Sequence, residues 1–214
     1  MPLHLSPNDS LLTARIASRY HRAMKPLLLR SSLALALAVA PTLSSAQTTI
    51  PAAFTLSSSN LTDGGVFSAA QIGTDTRCGN HGKSRSPELA WSGAPKGTQS
   101  YALLIFDVDA RKGSGFVHWV DYGIPASVSE LPEGAATPGV SPYVAGLNGA
   151  GTVGYLGPCP PAGDSPHHYL ITIYALDLAP QALAAGQTRD ELLTGLRGHI
   201  LAGSTIVGLH RVNR

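Results

Sequence analysis

Apolar runs alternate along the chain with polar, glycine- and proline-rich stretches, and this pattern predicts a protein built mostly from β-strands. Residues 101–109 form an apolar run that ends in acidic residues, which predicts a strand buried on both faces. Residues 117–122 are rich in aromatic and β-branched side chains, and residues 170–176 form a third run of this kind. Both compositions favour strands, so we predict three central strands.

Weaker patterns predict smaller elements around these strands. Phe54 and Leu56 alternate with polar residues and indicate an edge strand, and residues 89–91 indicate a short one. Residues 123–166 show little periodicity and many glycines and prolines, which predicts a long irregular excursion. A loop of this length in a compact domain usually serves a site.

The C-terminal part predicts one helix. Thr188 is a good cap for a helix over 189–196, in which Leu192, Leu193 and Leu196 share one face, and Gly198 provides the stop. Residues 200–209 predict a helix fragment followed by a last strand. The fold class is therefore mostly β, with a few short helices.

The N-terminal segment 1–46 has the features of a secretory signal. A basic region precedes the apolar run 33–40, and small residues at 44–46 offer a cleavage site. The run is too short for a stable membrane anchor, although an uncleaved anchor is the alternative. Met24 is a second possible start, which we favour over a long basic leader. Residues 47–214 then form a single exported domain, periplasmic or secreted.

Removal of the leader changes the charge of the protein. The leader holds five of the 15 Lys and Arg residues and one of the 13 Asp and Glu residues. Residues 47–214 therefore carry 10 basic and 12 acidic side chains, a formal net charge of −2. No basic patch is present in the sequence, which argues against nucleic acid as a partner. These 168 residues suffice for a hydrophobic core.

Both cysteines, Cys78 and Cys159, lie in the exported part. An even number of cysteines in an exported protein favours one disulfide. Two separate buried thiols are the alternative.

Polar side chains cluster where the predicted central strands begin or end. Asp107 and Asp109 close the first strand, His118 opens the second, and His167 and Tyr169 precede the third. The loop before His167 is stiffened by prolines and begins at Gly157 and Pro158. If the strands are neighbours, these groups meet at one rim, where two imidazoles are able to donate to an anion.

Other interpretations of the same residues stay open. Two histidines and a carboxylate also ligate iron or zinc, although no compact ligand spacing such as HExxH is present. Hydrolysis needs a nucleophile, and Ser86, Ser114 and Ser165 lie outside any G-x-S-x-G elbow. His118 and His167 are also compatible with structural roles at strand ends. We expect His168 to face solvent because neighbouring strand residues point to opposite faces.

Five segments, in order, resemble the phosphatidylethanolamine-binding protein family, also called Raf kinase inhibitor-like proteins, in its bacterial branch. They are SPELAW at 86–91, DVDA at 107–110, HW at 118–119, GYLGPCPP at 154–161 with HHY at 167–169, and GHILA at 198–202. Val108 replaces the proline usual in the second motif. This departure predicts a looser loop after Asp107 and a changed pocket rim.

The resemblance implies a sandwich of two antiparallel sheets with a pocket for phosphate, acetate or a phosphorylated headgroup. Carried over by position, the pocket residues are Asp107, His118, Gly157, Pro158, His167 and Tyr169. Cys78 and Cys159 resemble a cysteine pair of exported bacterial members, which supports the disulfide. The resemblance implies a binding protein without cofactor or catalysis. Arg111 and Lys112 do not by themselves indicate a kinase partner.

Two functions follow as hypotheses. The first is an exported protein that binds small anions or phosphorylated headgroups. The second is a protein–protein interaction module, such as a protease inhibitor or a modulator of an envelope or host partner. An exposed apolar patch in the excursion 123–153 would favour the second.

Overall fold

We describe residues 52–79 and 81–213 in a computed structural model of the chain. The predicted leader, Met24 and the cleavage site after Ala46 lie outside these residues, so the secretory signal stays a prediction. Among the residues described, no helix is long and apolar enough to cross a membrane.

Short and long strands follow one another with few helical turns between them. The strands are β1 (Thr55–Ser57), β2 (Gly65–Val66), β3 (Leu89–Ser92), β4 (Ser100–Asp107), β5 (Phe116–Pro125), β6 (Glu130–Leu131), β7 (Val144–Ala145), β8 (His167–Leu176) and β9 (Ile200–His210). The helical elements are a 3-10 turn (Thr76–Cys78), α1 (Ala110–Gly113) and α2 (Arg189–Gly195).

The strands form two sheets. Six strands pair in the order β2-β9-β8-β4-β5-β7, and three pair in the order β1-β3-β6. All pairs are antiparallel except the short pair of β2 with β9. The predicted mostly-β class with a few short helices is thereby confirmed. β4 lies between β5 and β8, so the three predicted central strands are neighbours.

The main core lies between the two sheets. Leu56, Leu89 and Trp91 of the small sheet belong to the same buried cluster as Leu103 and Ile105 of β4. A second cluster covers the opposite face of the large sheet, where Leu192 and Leu196 pack with side chains of β4, β5 and β8. Apolar side chains on both faces of β4 explain its unbroken apolar run.

The helix prediction agrees closely with α2. The Thr188 hydroxyl accepts from the Glu191 amide, and the Glu191 carboxylate accepts from the Thr188 amide. This reciprocal pair is a capping box, and it satisfies two backbone donors at the helix start. Gly198 follows the helix at a φ of 82°, as expected of a residue that ends one.

The predicted helix fragment after residue 200 is wrong. Residues Ile200–His210 form one continuous strand, β9, whose backbone pairs with β8 from His210 to Ile200. Gly203 disfavours a helix, and the β-branched residues at 205–207 favour a strand. The long partner β8 supplies the backbone hydrogen bonds that the local pattern could not show.

Candidate ligand-binding pocket

A cavity of about 870 Å³ opens where β4 ends and β5 and β8 begin. Its lining combines the end of β4 and the α1 turn with parts of β5 and β8 and with loops near residues 73–84 and 156–164. The lining residues are Gly73, Thr74, Asp75, Cys78, Ser84, Asp107, Asp109, Ala110, Arg111, Lys112, Phe116, His118, Pro138, Leu156, Gly157, Cys159, Pro160, Pro161, Asp164 and His167.

Asp107, at the end of β4, organises the floor of the cavity. Its Oδ1 atom accepts from the backbone amides of Asp109 (2.9 Å) and Ala110 (3.1 Å), which fixes the turn after the strand. Its Oδ2 atom lies 2.8 Å from Nδ1 of His167, and both side chains are almost fully buried. A buried carboxylate that accepts several hydrogen bonds is held in one orientation, and it orients the imidazole in turn.

His118 reaches the cavity because the pairing of β4 with β5 is irregular at this point. Ile105 pairs with Trp119 and Phe106 with Val117, so His118 has no partner across the ladder. A bulge of this kind redirects a side chain. The Nδ1 atom of His118 lies 2.6 Å from the Leu156 carbonyl oxygen. Burial lowers the pKa of His118 to about 4, although the Leu156 carbonyl opposes this shift.

The loop at Gly157 forms the opposite wall and is tightly fixed. The Gly157 amide donates to the Ser84 hydroxyl at 2.7 Å, and the Gly73 amide donates to the Pro158 carbonyl at 2.9 Å. A side chain at residue 157 would collide with the backbone of residues 71–73, so this close approach requires glycine.

A disulfide between Cys78 and Cys159 joins the same two loops, with 4.3 Å between the Cα atoms. The structure thereby bears out the predicted pairing. Both cysteines line the cavity, so the bond also holds its two loop walls together.

Four of the six predicted pocket residues line the cavity, namely Asp107, His118, Gly157 and His167. Pro158 and Tyr169 lie behind the wall. Tyr169 is fully buried, with its ring centroid 5.1 Å from that of His118 and 6.5 Å from that of His167. Its hydroxyl has no hydrogen-bond partner among the described residues, and burial raises its pKa, with a further contribution from Asp107. A direct contact of Tyr169 with a ligand stays a prediction.

The mouth of the cavity carries charges of both signs. Asp164 Oδ2 lies 3.6 Å from His167 Nε2, and its side chain is about half exposed. The guanidinium of Arg111 stands over the ring of Phe116 at 4.9 Å. Arg111 and Lys112 both have positive φ, a strained backbone that non-glycine residues adopt mainly at special sites.

Two carboxylates that line the cavity, Asp75 and Asp109, interact with neighbouring residues outside the lining. The side chain of Arg77 lowers the pKa of Asp75 to about 2. His168 is exposed, as predicted, and both its backbone amide (2.7 Å) and its Nδ1 atom (2.9 Å) contact Asp109 Oδ2. The backbone amide of His168 is the main cause of the lowered pKa of Asp109.

Sequence reasoning did not single out several lining residues. Asp164 precedes His167 by three residues in the stiff loop, which is a signal that could have identified it. Ser84 and Phe116 carried no local signal of this kind, because only the tertiary packing brings them to the cavity. Within the described ranges, no three His, Cys, Asp or Glu side chains are grouped so as to hold a metal ion.

Comparison with known proteins gives a consistent result. A phosphatidylethanolamine-binding protein family profile matches residues 57–211. A UPF0098 protein of Aquifex aeolicus is 40% identical over 131 residues, which cover 61% of this chain and 76% of the relative. YbcL of Escherichia coli is 39% identical over 131 residues, 58% of this chain and 69% of YbcL.

Two solved structures have a similar fold. The crystal structure of Escherichia coli YbcL, described as a new member of the mammalian phosphatidylethanolamine-binding protein (PEBP) family, superposes with a TM-score of 0.68 at 32% identity. The match covers 75% of this chain and 99% of YbcL. CT736 of Chlamydia trachomatis, titled a PEBP homologue, has a TM-score of 0.59 at 32% identity, covering 74% and 97% of the two chains. The chain therefore belongs to the phosphatidylethanolamine-binding protein family.

Proposed function

We propose that this protein binds a small phosphate-bearing ligand, such as a phosphorylated headgroup, in the cavity at the end of β4, and that it does so without catalysis. The observation that carries the proposal is the convergence of His118 and His167 in one cavity, with Asp107 orienting His167. Arg111 and Lys112 at the mouth add two positive charges that favour an anion. Family membership supports a binding role.

Export to the periplasm or the medium is part of the same proposal. The signal-like segment 1–46 supports it, and so does the disulfide, because such bonds persist in oxidising compartments. Fractionation of cells producing the full chain would test this point. Recovery of the protein from the cytosol with an intact leader would contradict it.

The binding test uses calorimetric titration of residues 47–214 with inorganic phosphate and with phosphoethanolamine. We expect saturable binding by the wild type and a loss of at least about tenfold in affinity for His118→Ala and for His167→Ala. His199→Ala is the matched control, since His199 also pairs with a carboxylate, Asp177 at 2.8 Å, but does not line the cavity. Absence of binding by folded wild-type protein, or equal loss in the control, would refute the proposed site.

A role in binding a protein partner would use the excursion 123–153. Among the described residues, the large hydrophobic side chains with high exposure are Val66, Val140, Ile200 and Leu201. Only Val140 belongs to the excursion, so this segment presents no continuous apolar patch within the part of the chain that is described. The cavity is therefore the better supported site, and a pulldown that returns one stoichiometric partner would reverse this preference.

A further inference from the structure

The two histidines of the cavity are held in a way that limits what they offer a ligand. The Leu156 carbonyl has no hydrogen to give, so Nδ1 of His118 must carry one and donate it. The Asp107 carboxylate likewise accepts from Nδ1 of His167. In a neutral imidazole with a hydrogen on Nδ1, Nε2 is an acceptor. A neutral His118 ring therefore turns an acceptor, not a donor, toward a ligand.

The Nε2 atoms are the ones available to the cavity. Nε2 of His118 has no hydrogen-bond partner among the described residues, and it is not fully shielded from solvent. Nε2 of His167 faces Asp164 at 3.6 Å, which is longer than an ordinary hydrogen bond. A ligand that contacts His118 therefore meets the lone pair of its Nε2 atom.

The groups around the two rings add few donors. The end of β4 and the turn after it bring the carboxylates of Asp107 and Asp109, and the surrounding loops bring those of Asp75 and Asp164. The hydroxyl groups of Thr74 and Ser84 also line the cavity. On β9, His210 pairs with His167 in the ladder and uses its own Nε2–H to donate to the Cys78 carbonyl at 2.8 Å. Burial lowers the pKa of His210 and raises that of the Tyr169 hydroxyl. The nearby cations, Arg111 and Lys112, belong to the α1 turn at the mouth of the cavity.

We propose that the cavity binds its anion together with at least one proton, and so selects phosphomonoesters and hydrogen phosphate over anions such as sulfate that carry no proton at neutral pH. This inference rests on the proposed function and specifies its ligand chemistry. A fully deprotonated oxyanion would set an oxygen lone pair against the Nε2 lone pair. A hydrogen between the two atoms turns this repulsion into a hydrogen bond.

The shared hydrogen must arrive on the ligand, because a proton held by Nε2 itself would let sulfate bind equally well. The second pKa of a phosphomonoester is about 6, so at higher pH the free ligand has lost this hydrogen. The low pKa of His118 means that this ring is also unprotonated in the free protein at neutral pH. The complex must then take up a proton, and its affinity must fall by about tenfold for each pH unit above neutrality.

Calorimetry of residues 47–214 tests this directly. We would titrate phosphoethanolamine and sulfate from about pH 6 to about pH 8.5, in two buffers of different ionisation enthalpy at each pH. We expect uptake of roughly one proton per phosphoethanolamine bound at the alkaline end, and sulfate binding weaker by at least about tenfold. Equal affinity for sulfate together with no proton uptake would overturn the inference while leaving the proposed function in place. No binding of any anion at any pH would overturn both.

A substitution at the mouth separates proton selection from simple charge. Asp164→Asn replaces an acceptor beside His167 Nε2 with an amide that donates. We would compare hydrogen phosphate with sulfate at about pH 8.5, where both are dianions, and we expect the preference for hydrogen phosphate to shrink by at least about fivefold. Loss of negative charge alone would strengthen two anions of equal charge to the same extent, and an unchanged ratio would therefore contradict the inference. Asp190→Asn is the control, because Asp190 is 88% exposed and lies on α2, away from the cavity lining.

Discussion

At the residue scale, the most unusual side chain outside the cavity is Asp121. It pairs with Leu103 in the sheet register and is fully buried, and neither of its carboxyl oxygens has a hydrogen-bond partner among the described residues. Burial raises its pKa to about 8, against smaller opposing effects of the Ser141 hydroxyl and the Tyr122 backbone. A carboxyl in this setting stays protonated at neutral pH, because the charged form would lose its hydration.

We predict that Asp121→Asn stabilises the protein, and increasingly so as the pH rises. The folded state retains a proton that the unfolded chain loses above its ordinary pKa of 3.8. The stability that this group contributes is therefore present in acid and is lost as the pH rises through about 8, at about 1.4 kcal/mol per pH unit. Asn keeps the size and polarity and removes the ionisation.

Urea unfolding at pH 6.5 and at pH 8 measures this effect. We expect wild-type stability to fall over this interval by about 1 to 2 kcal/mol more than that of Asp121→Asn. The exposed Asp190→Asn should behave as the wild type. Parallel pH profiles for the wild type and Asp121→Asn would show that Asp121 ionises normally in the fold.

His118 gives a pH dependence of the opposite sign. Its pKa falls from 6.5 to about 4 on folding, so the unfolded chain gains a proton in acid that the folded protein rejects. Its contribution to stability is present above pH 6.5 and is lost as the pH falls toward 4, up to about 3 kcal/mol. In the wild type this trend and that of Asp121 oppose each other between about pH 4 and pH 6.5.

The prediction for His118 is therefore measured in the Asp121→Asn background, where the opposing pH dependence of stability from Asp121 is absent. We expect the stability of Asp121→Asn to fall on acidification from pH 6.5 to about pH 4.5, and that of Asp121→Asn with His118→Gln to fall by about 2 kcal/mol less. Identical acid profiles for the two variants would contradict the assignment of this trend to His118.

At the element scale, α2 shows how a short helix depends on its cap. Only seven residues are helical, which is too few for a stable isolated helix, so the capping box and the burial of Leu192 and Leu196 must supply the rest. The helix closes the second hydrophobic cluster on the outer face of the large sheet.

We predict that Thr188→Ala lowers the free energy of unfolding by about 1 kcal/mol, because it leaves the Glu191 amide without its acceptor. Thr194→Ala is the matched control, since Thr194 is exposed inside the same helix and alanine is the better helix former there. Chemical denaturation of both variants measures the difference. Equal stabilities would mean that the packing of α2 alone fixes its first turn.

At the scale of the whole molecule, the disulfide connects segments 81 residues apart and so constrains the unfolded chain strongly. Loop-closure entropy alone gives a stabilisation of about 4 kcal/mol for a loop of this length. Because the bond also joins two walls of the cavity, its loss should affect ligand binding as well as stability.

We predict that the protein isolated without reductant shows no free thiol when denatured, and that the double variant Cys78→Ser with Cys159→Ser has a free energy of unfolding lower by about 2–5 kcal/mol. Wild type measured under reducing conditions should coincide with the double variant. Two free thiols in the unreduced protein, or unchanged stability of the double variant, would contradict this account.

Part of this protein follows from the sequence alone. The apolar runs at 101–109, 117–122 and 170–176 identified the central strands, because strands covered on both faces need uninterrupted apolar residues. Thr188 and Gly198 marked the ends of a helix through local backbone hydrogen bonding, and two cysteines in an exported-type chain indicated a disulfide. These features depend on neighbours in sequence or on composition, which a single sequence displays.

Only the tertiary structure decided the rest. The final strand β9 depends on its long pairing with β8, and the buried state of Asp121 depends on its register with Leu103. The hydrogen on Nδ1 of His118 depends on the carbonyl of Leu156, 38 residues away. The sequence shows which polar groups stand near strand ends. Which partner each of them meets, and so whether it donates, accepts or stays uncharged, is set by contacts between distant segments.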